Sequence, residues 1–140
     1  MKNTIHFFSK FLNMAFVGSY KELDVYQLSR KLAKKIFEIS VNFPKHETYS
    51  LTDQIRRSSR SIGAQIAEAW AKRRYEKHFI SKLTDADGEQ YETQHWIEIA
   101  FDSNLVTLEE MNAILLDCHS INRMLNSMIN KSSQFCKNAF

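Results

Sequence analysis

What this chain has little of narrows it first. Only three glycines, one proline and two cysteines are spread through its 140 residues. Gly18, Gly63 and Gly88 lie far apart, so neither a dinucleotide-binding fingerprint nor a P-loop can be written through them. The same scarcity of turn formers argues against a fold of many short strands. Cys118 and Cys136 make no disulfide framework; Cys118 falls on a core-facing helical position, which suits a reducing compartment. No run reaches the roughly 18 apolar residues of a membrane span. His6, Ser9, Lys10 and Asn13 interrupt the opening segment and no small-x-small cleavage site follows, so a secretory signal is not expected. Residues 1–20 are expected to be a flexible leader, with Met14 as an alternative start.

What is present is helical periodicity. Leu51, Ile55, Ser58, Ile62, Ile66 and Ala69 recur at steps of four and three, the spacing of one packed seam. Before them, Val25, Leu28, Leu32, Ile36 and Ile39 predict a helix from about Lys21 to Asn42, stopped by Phe43-Pro44. Ser50 and Asp53 read as a capping box for the second helix, which should turn between Lys72 and Glu76. Phe79, Leu83, Ala86, Gln90, Thr93, Ile97 and Ala100 alternate steps of four and three in a third helix, with Gly88 opposite the seam and Asp102-Ser-Asn104 at its end. A second capping box, Thr107 with Glu110, opens a fourth helix whose inner stripe reads Leu108, Met111, Leu115, Cys118, Leu125 and Ile129, interrupted by Asn122. The fold expected is all-α, an antiparallel up-down four-helix bundle over residues 21–131, with a flexible tail over 132–140.

Charge is unevenly placed. Residues 51–78 hold seven Lys and Arg against three Asp and Glu, whereas residues 79–110 hold Lys82 against eight acids. The two segments either neutralise each other within one bundle, meet between subunits, or leave the basic side for an anionic polymer. The basic candidates are Arg56, Arg57 and Arg60 on one face, and Lys72, Arg73, Arg74 and Lys77 near Tyr75 and His78. Arginine forks beside aromatic rings suit phosphate contact and base stacking, though such a run also suits a merely solvated face. A second set points to self-association. Gly63, Ala64, Ala67 and Ala71 form a nearly bare face, and Tyr91, Trp96 and Ile99 project away from the third seam. Knobs on one surface and small residues on another would join head to tail and close into a ring.

Chemistry finds no foothold. Glu92-x-x-His95 has the spacing of a di-iron ligand pair, but those sites need the motif twice and this one points away from the seam. His46, His78 and His119 have no ligand spacing with either cysteine. Ser58, Ser59 and Ser61 lack the strand-turn-helix context and oxyanion glycine of a nucleophile. No catalytic residue, metal, cofactor or small-molecule substrate is expected.

The run Leu51-Thr-Asp-Gln54-Ile-Arg56-Arg57-Ser-Ser-Arg60-Ser61-Ile62-Gly63-Ala-Gln65-Ile66-Ala67-Glu68 resembles the signature of the bacterial four-helix bundle proteins encoded within intervening sequences of 23S ribosomal RNA genes. The likeness extends through Phe43-Pro44 and Glu47, and through Asp87-Gly88-Glu89-Gln90-Tyr91-Glu92-Thr93-Gln94, covering roughly residues 21–130. It departs where Gln65 replaces the usual asparagine and Ala69 the usual glycine. The resemblance implies a cytoplasmic, non-catalytic ring of five subunits with a central channel. Accessory proteins of diversity-generating retroelements look like the same bundle and bind nucleic acid through basic surfaces. RNA or DNA is therefore the expected partner besides the chain itself, and a protein-binding scaffold without nucleic acid is the alternative.

Overall fold

The computed structural model describes residues 17–137. Four long helices carry the fold: α1 (Asp24–Ser40), α2 (Asp53–Ala71), α3 (Glu76–Asp102) and α4 (Leu108–Asn130), followed by a short α5 (Ser132–Lys137). No strand occurs among the described residues. Each long helix packs on the next and α4 returns to α1, with the most extensive contact between α2 and α3. The bundle is all-α, as the periodicity predicts.

The α2 and α3 seams are buried throughout, from Leu51 to Ala69 and from Phe79 to Ala100. Their polar members are matched: Ser58 and Thr93 share a 2.9 Å hydroxyl contact. Gln90, fully buried, donates to Asp87 at 2.9 Å and accepts from Gln94 at 2.6 Å. Asn122 of α4 also donates to Asp87, at 2.8 Å, so the polar break in the α4 pattern is satisfied across the α3–α4 contact.

Two helix ends follow the local chemistry announced by the sequence, and one announced cap fails. Thr107 and Glu110 form the expected reciprocal box at 2.9 and 3.1 Å. Beyond α3, Asn104 adopts φ 59°, while Leu105 N–H bonds the Ala100 carbonyl and Asn104 N–H the Phe101 carbonyl, a Schellman stop with asparagine in the glycine position. The Ser50–Asp53 box does not form. Residues Thr48–Thr52 make a wide turn kinked at Ser50, and the Glu47 carboxylate instead accepts from Leu51 N–H at 3.3 Å.

Two further expectations are corrected. The α4 face that is buried comprises Ile114, Cys118, Ile121, Leu125 and Met128, whereas Leu108 is exposed and Met111 and Leu115 lie at the margin. The expected tail begins as α5: Phe135 is buried on Phe79, ring centroids 5.8 Å apart, and Ser132 donates to Glu76 at 2.7 Å. The leader lies outside the described residues except for 17–20, which pack on the bundle. Val17 meets the core and Tyr20 meets the edge of Tyr26 at 4.9 Å.

Candidate nucleic-acid interface

The arginines of α2 occupy its first turns, at the spacing that turns Arg56 and Arg60 toward α1 and Arg57 toward α3. Arg56 donates from Nε to Ser40 Oγ at 2.7 Å, and its guanidinium lies 4.8 Å from the centre of the Phe37 ring. Arg60 approaches the same ring at 5.8 Å, and Arg30 of α1 lies 6.0 Å from the Tyr26 ring. Arg57 lies near Glu89, whose carboxyl is pushed up by burial and by Glu92 while Arg57 opposes the shift. Among the described residues, neither Arg56 nor Arg60 has a carboxylate within ion-pair distance.

Two grooves run beside these side chains. One, of about 510 Å³, lies between α1 and α2; its walls include Tyr20, Tyr26, Arg30, Lys34, Phe37 and Arg60, and no aspartate or glutamate lines it. The other, of about 570 Å³, lies at the start of α2, lined by Tyr49, Thr52, Asp53, Arg56, Arg57 and Arg60 among others. Arg60 and Ala64 line both, so the two grooves adjoin along α2 as a furrow with Arg60 at their border. Tyr49 at its mouth is 93% exposed and Phe37 45%, a large apolar area left to water beside concentrated positive charge. Thr52 Oγ1 is buried without a hydrogen-bond partner.

The second basic group sits elsewhere. Lys72 follows α2 twelve positions after Arg60, about 18 Å away at the helical rise, so the seven cations do not form one patch. Arg73 is turned back on its own helix: its guanidinium lies 3.6 Å from the Trp70 ring centre and Nε donates to the Trp70 carbonyl at 2.9 Å. Burial draws its pKa below the ordinary arginine value. Lys72, Arg74 and Lys77 are exposed, and Tyr75 and His78 pack together at 5.4 Å.

The acidic α3 does not neutralise the α2 arginines wholesale. Lys82 of α3 reaches back instead: it bonds Gln65 at 3.3 Å and Glu68 at 2.8 Å, and the pairing with Glu68 lowers the Glu68 pKa and raises that of Lys82. The small-residue face is also only partly free. Gly63 faces α1, where an added Cβ would lie 3.0 Å from Ser29 Oγ and 3.4 Å from Tyr26, so its bareness serves a contact within the chain. Ala64 and Ala71 are exposed and Ala67 is half-buried. Of the projecting residues, Tyr91 and Ile99 are exposed, whereas Trp96 packs partly on the core and donates to Glu92 at 3.2 Å. Glu92 and His95 are both exposed, and among the described residues no three His, Cys, Asp or Glu side chains are grouped to hold a metal. No helix among the described residues is long and apolar enough to cross a membrane.

Sequence reasoning placed Tyr75 beside the basic residues and missed Tyr26, Arg30, Lys34, Phe37 and Tyr49. A signal existed. Tyr26, Arg30, Ala33 and Phe37 step by four, three and four along α1, off its buried seam.

Comparison with known proteins gives a consistent picture. The family model described as 23S rRNA-intervening sequence protein matches residues 21–127. A crystal structure of a protein of unknown function from the S23 ribosomal protein family of Bacteroides thetaiotaomicron is 32% identical, with a TM-score of 0.69. That match covers 76% of this chain and 95% of the other. No curated protein matched.

Proposed function

The chain belongs to the 23S rRNA-intervening sequence protein family, and we propose that it is a non-catalytic, cytoplasmic, self-assembling bundle that binds structured RNA through the arginine-lined furrow of α1 and α2. The observation that carries this reading is the joining of Arg30, Lys34, Arg56, Arg57 and Arg60 with Tyr26, Phe37 and Tyr49 along one furrow. Such cations hold phosphates, and the rings offer faces to bases. Because the sequence carries no base-readout motif, the contact is governed by phosphate and shape. Lys72, Arg74 and Lys77, farther along, extend the positive field rather than complete the same site.

Self-assembly is supported by large apolar side chains left to solvent on α3 and α4: Tyr91, Ile99, Leu108 and Leu116. Covering them with other copies would bury this surface, and a ring of five is the assembly the family resemblance implies. Light-scattering mass of the purified chain, with and without a structured fragment of ribosomal RNA across a salt series, tests both parts. The expected particle is a multiple of the 16.4 kDa chain that gains RNA mass at low salt and sheds it as salt rises. A particle of one chain's mass that never gains RNA would overturn the proposal.

A further inference from the structure

The groove between α1 and α2 has chemistry more particular than a basic surface. Its volume of about 510 Å³ falls within the roughly 300–1,000 Å³ of small-molecule sites. Its base is made of small side chains, Ser29, Ala33, Ser59 and Gly63, which leave the Tyr26 and Phe37 rings standing at its walls. Ser29 Oγ is pinned to the Tyr26 carbonyl at 2.6 Å, which fixes that base. Three cations line the groove and no acid does, so an anionic occupant is electrostatically matched to it.

We infer that this groove is a subsite for one unpaired nucleotide of a nucleic-acid strand, with its base against Tyr26 and Phe37 and its flanking phosphates held by Arg30, Lys34 and Arg60. The inference rests on the nucleic-acid reading above and sharpens it. A duplex keeps its bases stacked on one another, whereas only an unpaired base brings a free face to a ring. Phe37 is 45% exposed and Tyr26 half-buried, so part of each ring is left for a flat, polarisable partner once the guanidiniums beside them turn to phosphate. The protein would therefore select loops, bulges and single-stranded ends over continuous helices.

The test is fluorescence anisotropy at fixed low salt with the full chain, comparing a labelled ten-nucleotide single-stranded RNA, its DNA counterpart and an RNA duplex of equal length. Phe37→Leu keeps an apolar side chain but removes the ring at a half-exposed position. Ala64→Trp fills the groove from another exposed position, and Lys31→Gln, on α1 but outside both grooves, controls for charge. The single strands should bind about tenfold tighter than the duplex, and Phe37→Leu and Ala64→Trp should each weaken them about tenfold, the scale of one base-ring stack. Duplex binding should stay unchanged in both variants, and Lys31→Gln should weaken every ligand equally and slightly.

Equal affinity for single strand and duplex, both unmoved by Phe37→Leu yet weakened by charge removal at Arg60, overturns the subsite and leaves the general nucleic-acid reading standing. No binding of any of the three overturns both. A drop in light-scattering mass in Ala64→Trp would show that the groove seats a second copy of the chain, which also overturns the subsite.

Discussion

The salt dependence of binding can be worked from the furrow itself. Arg30, Lys34, Arg56, Arg57 and Arg60 line it, and each is a candidate for one phosphate. Five such contacts on a single strand give a slope of log affinity against log salt of about −3.5. Raising salt from about 50 to about 200 mM should then weaken binding about a hundredfold. Arg60 borders both grooves, so Arg60→Gln should reduce the slope to about −2.8 without unfolding the chain. Arg73 provides the contrast. It lines neither groove and packs on the Trp70 ring and carbonyl beyond the far end of α2, so Arg73→Gln should leave the slope unchanged and instead loosen the end of α2. The assay is anisotropy of a labelled single-stranded RNA in a sodium chloride series, with circular dichroism to verify folding. An affinity indifferent to salt, or a slope that falls with Arg73→Gln but not with Arg60→Gln, would refute the assignment.

Other expectations follow from the packing. Phe79 is fully buried and stacked on Phe135, so Phe79→Ala should cost about 3–5 kcal/mol in urea unfolding. Gly88 has nothing within 4 Å of a built Cβ, so Gly88→Ala should stabilise by up to about 1 kcal/mol. Gly63 has Ser29 Oγ at 3.0 Å of such a Cβ, so Gly63→Leu should destabilise by about 1–3 kcal/mol; equal effects at the two glycines would discredit the α1–α2 contact described for Gly63. Glu89, with its carboxyl pushed up by burial and by Glu92, binds its proton more readily folded than unfolded. Its contribution to stability therefore falls as pH rises through the carboxylate range, and Glu89→Gln should flatten that part of the curve and raise stability at neutral pH.

The helices, the α4 cap and the end of α3 were legible because they depend on neighbours in the chain, whereas the Ser50–Asp53 box gave way to the Glu47 carboxylate. Steps of four and three identified every buried residue of the α3 seam, Thr107 with Glu110 announced its box, and Asn104 fell where a helix had to stop. The α4 stripe was misplaced because that helix is apolar over a wide arc. Leu115 and Ile114 are adjacent in sequence and alike in hydropathy, and only the packing of α1 and α3 selects between their faces. The same reason separates the two halves of the candidate site. Charge counting gathered seven cations, but helix length sets Lys72 far from Arg60, and the ring of Trp70 takes Arg73 out of the group. Tyr26, Arg30, Lys34 and Phe37 joined the arginines only when α1 was laid beside α2.

By itself the sequence determined the composition-level exclusions, the number of long helices, which face of α2 and α3 turns inward, and the excess of positive charge on α2. Each is a property of spacing along one chain segment, fixed by the helical repeat before any partner is chosen. The tertiary structure alone decided what the outward residues face. Gly63 meets its own Tyr26, Arg56 and Arg60 share the ring of Phe37, and Phe135 closes the end of the bundle over Phe79. These depend on the rotation of one helix about its axis relative to another, which is set by the sum of all side-chain contacts between them and by no single run of residues.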